Sequence, residues 1–173
     1  EFGNCLLVEQ PNGDFAQTIA RQLFFSAFML PFWRKLTGSR DETLAAIAAK
    51  AEKEEAYHLR HSGEWTIRLG DGTEESRARM QDAIDLLWPY TGELFEVDGV
   101  VERLVADGIA VDPETIRDEW HATLRRVCDD ATLTLPPVGW MQSGGRSGRH
   151  SESFGHLLSE MQYMQRAYPG MRW

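Results

Sequence analysis

A single seam runs through the chain between Leu44 and Leu69. Leu44, Ala48, Ala51, Glu55, His58, Ser62, Trp65 and Leu69 follow one another at alternating steps of four and three residues. That spacing keeps one face of an α-helix turned toward a neighbour. A strand cannot do this, because its side chains alternate with period two. Ser39-Arg40-Asp41-Glu42 precedes the seam and has the form of a capping box, with Ser39 and Glu42 in the reciprocal positions. Gly70-Asp71-Gly72 follows and stops the helix. The pattern predicts one long helix over about 40–69, and a helix of that length with one apolar seam belongs in a bundle.

The remaining segments also read as helical, and no convincing period-two run extends beyond a few residues. Residues 6–13 form a short apolar stretch closed by Pro-Asn-Gly. Asp14 can cap a helix of about 15–36 in which Ile19, Leu23, Phe24, Phe25, Phe28, Met29, Leu30, Phe32 and Trp33 leave almost no polar face. Pro31 is expected to kink or end its last turn. Thr73 starts a helix of about 74–96, with a kink expected at Pro89. A short helix spans about 98–106. Asp112 caps the next, with Pro113 at its first position, and that helix runs to about Ala131. Residues 134–150 are a Gly- and Pro-rich loop. A last helix, about 152–167, carries the stripe Phe154, Leu157, Met161, Met164 and Tyr168, which reads as core. The expectation is an all-α fold of five or six helices, with residues 1–173 forming one domain.

Composition narrows the function. The 173 residues include 27 acidic and 18 basic side chains, a net charge of -9. A general nucleic-acid binder needs a basic footprint, so this balance argues against one and equally against an anionic membrane surface. No apolar run approaches the roughly 20 residues of a transmembrane helix. Cys5 and Cys128 are too few for a disulfide scaffold or a zinc site, so a reduced, cytoplasmic protein is the expectation. The chain starts Glu1-Phe2-Gly3-Asn4, without Met, which suggests trimming, a cloning remnant or a fragment of a longer subunit.

Candidate chemistry centres on the long helix. Glu55 and His58 lie one turn apart on the seam, with Glu54 adjacent, and a buried carboxylate and imidazole need partners. Glu-x-x-His on one helix is a di-iron ligand pattern in carboxylate bundles, where a second such helix and two more carboxylates complete the site. No second Glu-x-x-His exists here. Asp118-x-x-His121 has the spacing but falls off the seam of Ile116, Trp120, Val127 and Ala131, so it reads as a solvated face. Three readings of Glu54, Glu55 and His58 stay open: a buried polar network, metal ligation and plain surface charge. The network has Tyr57, Lys50 and Lys53 nearby. Cys128 beside Asp129 and Asp130 is a poor nucleophile, because those charges raise a thiol pKa. Glu9, within Glu-Gln-Pro-Asn-Gly, reads as bordering a turn rather than as a catalytic acid. Arg146 and Arg149 sit in a glycine-rich loop before a helix, where backbone N–H groups can hold a phosphate or a partner carboxylate. The plain alternative there is a flexible linker. No Walker loop, nucleophile elbow or dinucleotide fingerprint is present.

Several blocks, in order, carry a resemblance. LLVEQPNGDFAQTIARQLFF, LAAIAAKAEKEEAYHLRHSGEW, RLGDGTEESRARMQDAIDLLWPYTGELF, GIAVDPETIRDEWHATL and HSESFGHLLSEMQYMQRAYPG resemble the structural C subunit of bacterial phenylacetyl-CoA epoxidase over nearly the whole chain. The resemblance implies a ferritin-like helical bundle that here lacks its N-terminal helices, so that the isolated chain would aggregate or need partners. It also implies a multicomponent oxygenase. Its catalytic A subunit holds a di-iron centre and inserts one atom of O2 into the ring of phenylacetyl-CoA, giving a 1,2-epoxide. A reductase component brings electrons from NADPH. The C subunit is implied to be non-catalytic, without metal or cofactor of its own, and to bind the A subunit and the other epoxidase components. In the family's Lys-Glu-x-x-Tyr-His block, Glu54 and His58 take the matching positions, as a polar network where the metal would otherwise be. Arg146 and Arg149 become contacts to a partner or to CoA phosphates. The alternative is a di-iron oxygenase or iron-binding bundle in its own right.

Overall fold

The computed structural model describes residues 3–172, and among them every regular element is helical. The opening Glu1-Phe2 lies outside that range. A 3₁₀ turn at Leu6–Glu9 leads into α1 (Phe15–Leu36), α2 (Glu42–Gly70) and α3 (Glu74–Leu87). Then come α4 (Gly99–Ala106), α5 (Arg117–Asp130), α6 (Glu152–Met161) and α7 (Tyr163–Ala167). Helices α1 and α2 pack along each other most extensively, and α3 and α5 lie against both. No helix of the described residues is long and apolar enough to cross a membrane.

The caps explain the boundaries. Asp14 accepts from Gln17 N at the start of α1. Helix α1 runs on through the buried Pro31 to Leu36 rather than ending there, because its apolar faces are held by neighbours that outweigh one missing backbone donor. At α2 the cap is Asp41, not the predicted box: its carboxylate accepts from Thr43 N and Leu44 N. Ser39 instead donates to Ile109 O at 2.7 Å and ties this corner to the end of α4. Thr73 and Ser76 form a true capping box at α3. That helix stops at Leu87, short of the expected 96, because Trp88 precedes Pro89 and is displaced from regular helix. Two 3₁₀ turns, Trp88–Tyr90 and Gly92–Phe95, take its place.

The core sits between α1, α3 and α5. Leu23, Phe24, Met80, Ile84, Ile116, Trp120 and Leu124 are sealed from solvent. Trp120 donates its indole N–H to Phe24 O at 3.0 Å and stacks on Trp88. The seam of α2 is buried at Ala48 and Ser62, partly buried at Leu44, Ala51, Glu55, Trp65 and Leu69, and open at His58.

The C-terminal stripe corrects the sequence reading. Helices α6 and α7 contain no buried residue. Leu157, Met161, Met164 and Tyr168 are 42% to 67% exposed rather than core. Periodicity makes a face apolar, but only a neighbour buries it, and among the described residues no helix other than α7 packs along α6.

Candidate functional site

The α2 residues are placed as follows. Glu54 and His58 are exposed and Glu55 is half-buried. His58 Nδ1 lies 3.5 Å from Glu55 Oε2, and Glu55 Oε1 has no partner among the described residues. Tyr57 contacts the rings of His58 and His61, and Lys50 and Lys53 are exposed. Among the described residues no three His, Cys, Asp or Glu side chains are grouped so as to hold a metal ion. A di-iron carboxylate centre draws donors from four helices. One carboxylate and one imidazole on one helix do not make up that donor set.

The polar groups that are built into the interior lie elsewhere. Glu93, in the turn after α3, is fully buried. One carboxylate oxygen accepts from Gly144 N at 2.6 Å and Gly145 N at 2.7 Å, and the other from Leu6 N at 2.6 Å. Glu9 is buried as well. Its carboxylate accepts from Ser151 N at 2.8 Å, Ser151 Oγ at 3.0 Å and His150 Nδ1 at 2.7 Å. The carboxylate can only accept, so Nδ1 carries the proton. Burial pushes the Glu9 carboxyl up, and these hydrogen bonds more than reverse it, holding it below the ordinary carboxylate value. Two carboxylates thus pin both ends of residues 144–151, and with them the base of α6.

This answers what the glycine loop does. Its N–H groups do bind an anion, but the anion is Glu93 of the same chain. Gly144 has φ 126°, which an L side chain rarely adopts. A Cβ on Gly145 would collide with Asn4 O. Sequence reading missed Glu93 and took Glu9 for a turn residue. The signal available was the pairing of a glycine-rich loop with acidic residues in other loops, which no spacing rule connects.

Arg146 and Arg149 part company. Arg149 is exposed, its aliphatic stem against Gly144. Arg146 turns inward, with Nη1 3.5 Å from Glu93 O, and lines a cleft that also holds Glu96 and Asp98. Beside Arg146 the charged lining of the cleft is mainly acidic, with Glu93, Glu96 and Asp98. Both thiols are held above the ordinary thiol pKa. Burial pushes Cys5 up, and burial with the Asp129 charge pushes Cys128 up to about 11. His121 is half-buried against Trp88 and Trp120. Burial, then Arg125 and Arg117, hold its pKa below the usual imidazole value.

The remaining candidate is a surface. Helix α6 and its continuation α7 carry Leu157, Met161 and Met164 outward at steps of four and three. Scattered exposed apolar residues are ordinary, whereas a contiguous helical stripe marks a docking face.

The comparisons with known proteins agree on one group. The family model described as "Phenylacetic acid catabolic protein" matches residues 1–173. The C subunit of the 1,2-phenylacetyl-CoA epoxidase of Escherichia coli (strain K12) is 50% identical over 173 residues, which is 100% of this chain and 70% of that protein.

Proposed function

This chain belongs to the phenylacetic acid catabolic protein family, and on that premise we propose that it is a non-catalytic structural subunit of a phenylacetyl-CoA epoxidase. In this reading it binds and stabilises a separate catalytic A subunit. That partner holds the di-iron centre and epoxidises the ring of phenylacetyl-CoA with O2, and a reductase component supplies electrons from NADPH. Membership of such a complex is supported by the likeness to a protein that is itself named as an epoxidase subunit.

The observation that carries the reading is the exposed stripe of α6. Leu157 is 51% and Met161 67% exposed. Each apolar side chain that leaves water at an interface contributes about 1.5–3 kcal/mol before the cost of association. A handful of such anchors suffices for a stable interface. The chain's role is then mechanical. The Glu9 and Glu93 clamps hold the base of α6 against the body, so the stripe reaches a partner in a fixed direction with little ordering left to do. Glu54, Glu55 and His58 serve as a polar patch on α2 where a catalytic homologue would place metal ligands.

The test is Leu157→Glu with Met161→Glu. Both side chains are exposed, so the variant's own fold should melt within about 0.5 kcal/mol of the parent. Its co-purification with the catalytic partner should fall at least ten-fold. Undiminished co-purification would remove the stripe from the interface.

A further inference from the structure

A cleft of about 440 Å³ opens beside α1, within the range of small-molecule sites. Its floor is Phe25, Phe28, Met29 and Phe32, all from α1, faced by Val101 and Val111. Phe28 stacks on Phe32 at 5.9 Å and meets Phe95 edge-on at 5.3 Å, which fixes the floor. Phe25, Met29 and Phe32 are only half-buried, so their apolar surface faces the cleft rather than another helix.

The rim is polar and its charge is one-sided. Glu93, Glu96 and Asp98 oppose a single cation, Arg146. Asp98 is fixed by Val100 N at 2.9 Å and Val101 N at 2.8 Å, where it caps α4, and Glu93 is held by three amides. Glu96 and Asp98 both stand exposed at the rim, and of the two Asp98 is the one already engaged as a helix cap. Partial burial first, and then the Glu93 charge, raise the Glu96 carboxyl above its ordinary value.

We propose that this cleft binds a small molecule with an aryl body and a cationic head, of the arylalkylamine class. The ring lies against the α1 phenylalanines and the head meets Glu96. Phenylalanine faces attract a cation as well as a ring, so floor and rim select the same ligand. A carboxylate head of the same size faces three acids and one arginine and is disfavoured.

Three probes of one shape and different charge test this: phenethylamine, phenethyl alcohol and phenylacetate. Cys5 lines the cleft and reports occupancy, while Cys128, 1% exposed, serves as the internal control. The full-length protein, alone and in its complex, is treated with methyl methanethiosulfonate at mildly alkaline pH, and modification of each cysteine is read by peptide mass. Phenethylamine should protect Cys5 saturably, at about ten-fold lower concentration than phenylacetate, with the alcohol between them. Glu96→Gln, a change at an exposed side chain, should collapse the order toward the alcohol and leave ring-driven protection. Isothermal titration with the same probes reads the order independently of thiol reactivity. No saturable binding of any probe to about 10 mM overturns the proposal. So does tightest binding by phenylacetate, or an unchanged order in Glu96→Gln.

Discussion

Replacing Glu93 with Gln tests the internal clamp most sharply. The two side chains have nearly the same shape, so packing is preserved and only the acceptor set changes. The carboxylate receives three backbone N–H groups, Gly144 and Gly145 on one oxygen and Leu6 on the other. A glutamine offers one oxygen and one NH2. If the oxygen keeps the two glycine amides, the NH2 group faces Leu6 N–H, and two donors meet in a fully buried place. One buried donor left without its acceptor costs about 1–3 kcal/mol, and each charge-assisted bond that becomes neutral loses roughly half its strength. Together these give about 2–5 kcal/mol. For a chain of this size that lowers Tm by about 5–15 °C. Thermal unfolding measures the total. Amide hydrogen exchange locates it, with faster exchange expected at Leu6, Gly144 and Gly145 and none at Trp120 or Ile84. A variant that melts like the parent and keeps its protection at these amides would refute the clamp.

Two further outcomes follow from the same contacts. The Glu9 carboxyl titrates below its ordinary value in the folded chain, so its contribution is complete above pH of about 4.5 and is lost as pH falls through the lower folded value. Residues 144–151 should therefore open to protease under acid conditions before the core melts, and Glu9→Gln should open them at neutral pH. Equal protection across that range would contradict the assignment. Gly70→Ala ought to destabilise by about 1–3 kcal/mol, although alanine is the better helix former, because the new Cβ collides with the backbone oxygen of Ala131. An unchanged or raised midpoint in chemical denaturation would mean that α2 and the end of α5 can separate freely.

The helices were readable where local chemistry decides them. Asp14 and Thr73 cap α1 and α3 as their positions suggest, and the apolar seam of Ile116, Trp120, Val127 and Ala131 is buried in full. Resemblance of whole blocks led to the family, which single motifs could not do. Three features depended on distant parts of the chain and were not legible. Asp41 displaced Ser39 as the cap of α2 because Ser39 was drawn to Ile109 O. The α2 seam reads as continuous, yet His58 stands in solvent, since burial is set by which helices flank α2 and not by its own period. Glu9 and Glu93 became the buried acids because loops far apart in sequence meet around them, separated by 142 residues from Glu9 to Ser151 and by 51 from Glu93 to Gly144. The α6 stripe failed in the opposite sense. An amphipathic helix that meets a partner and one that meets its own core have the same sequence period.

The central claim is that this chain serves a catalytic partner instead of doing chemistry itself. Its most direct test is to co-express the full-length protein with the catalytic A subunit, separate the products by size exclusion, and quantify iron and both chains across the peak. The account predicts one peak with the two chains in fixed ratio and iron following the catalytic chain alone. Separate elution of the chains, or about two irons carried by this chain in the absence of its partner, would contradict it.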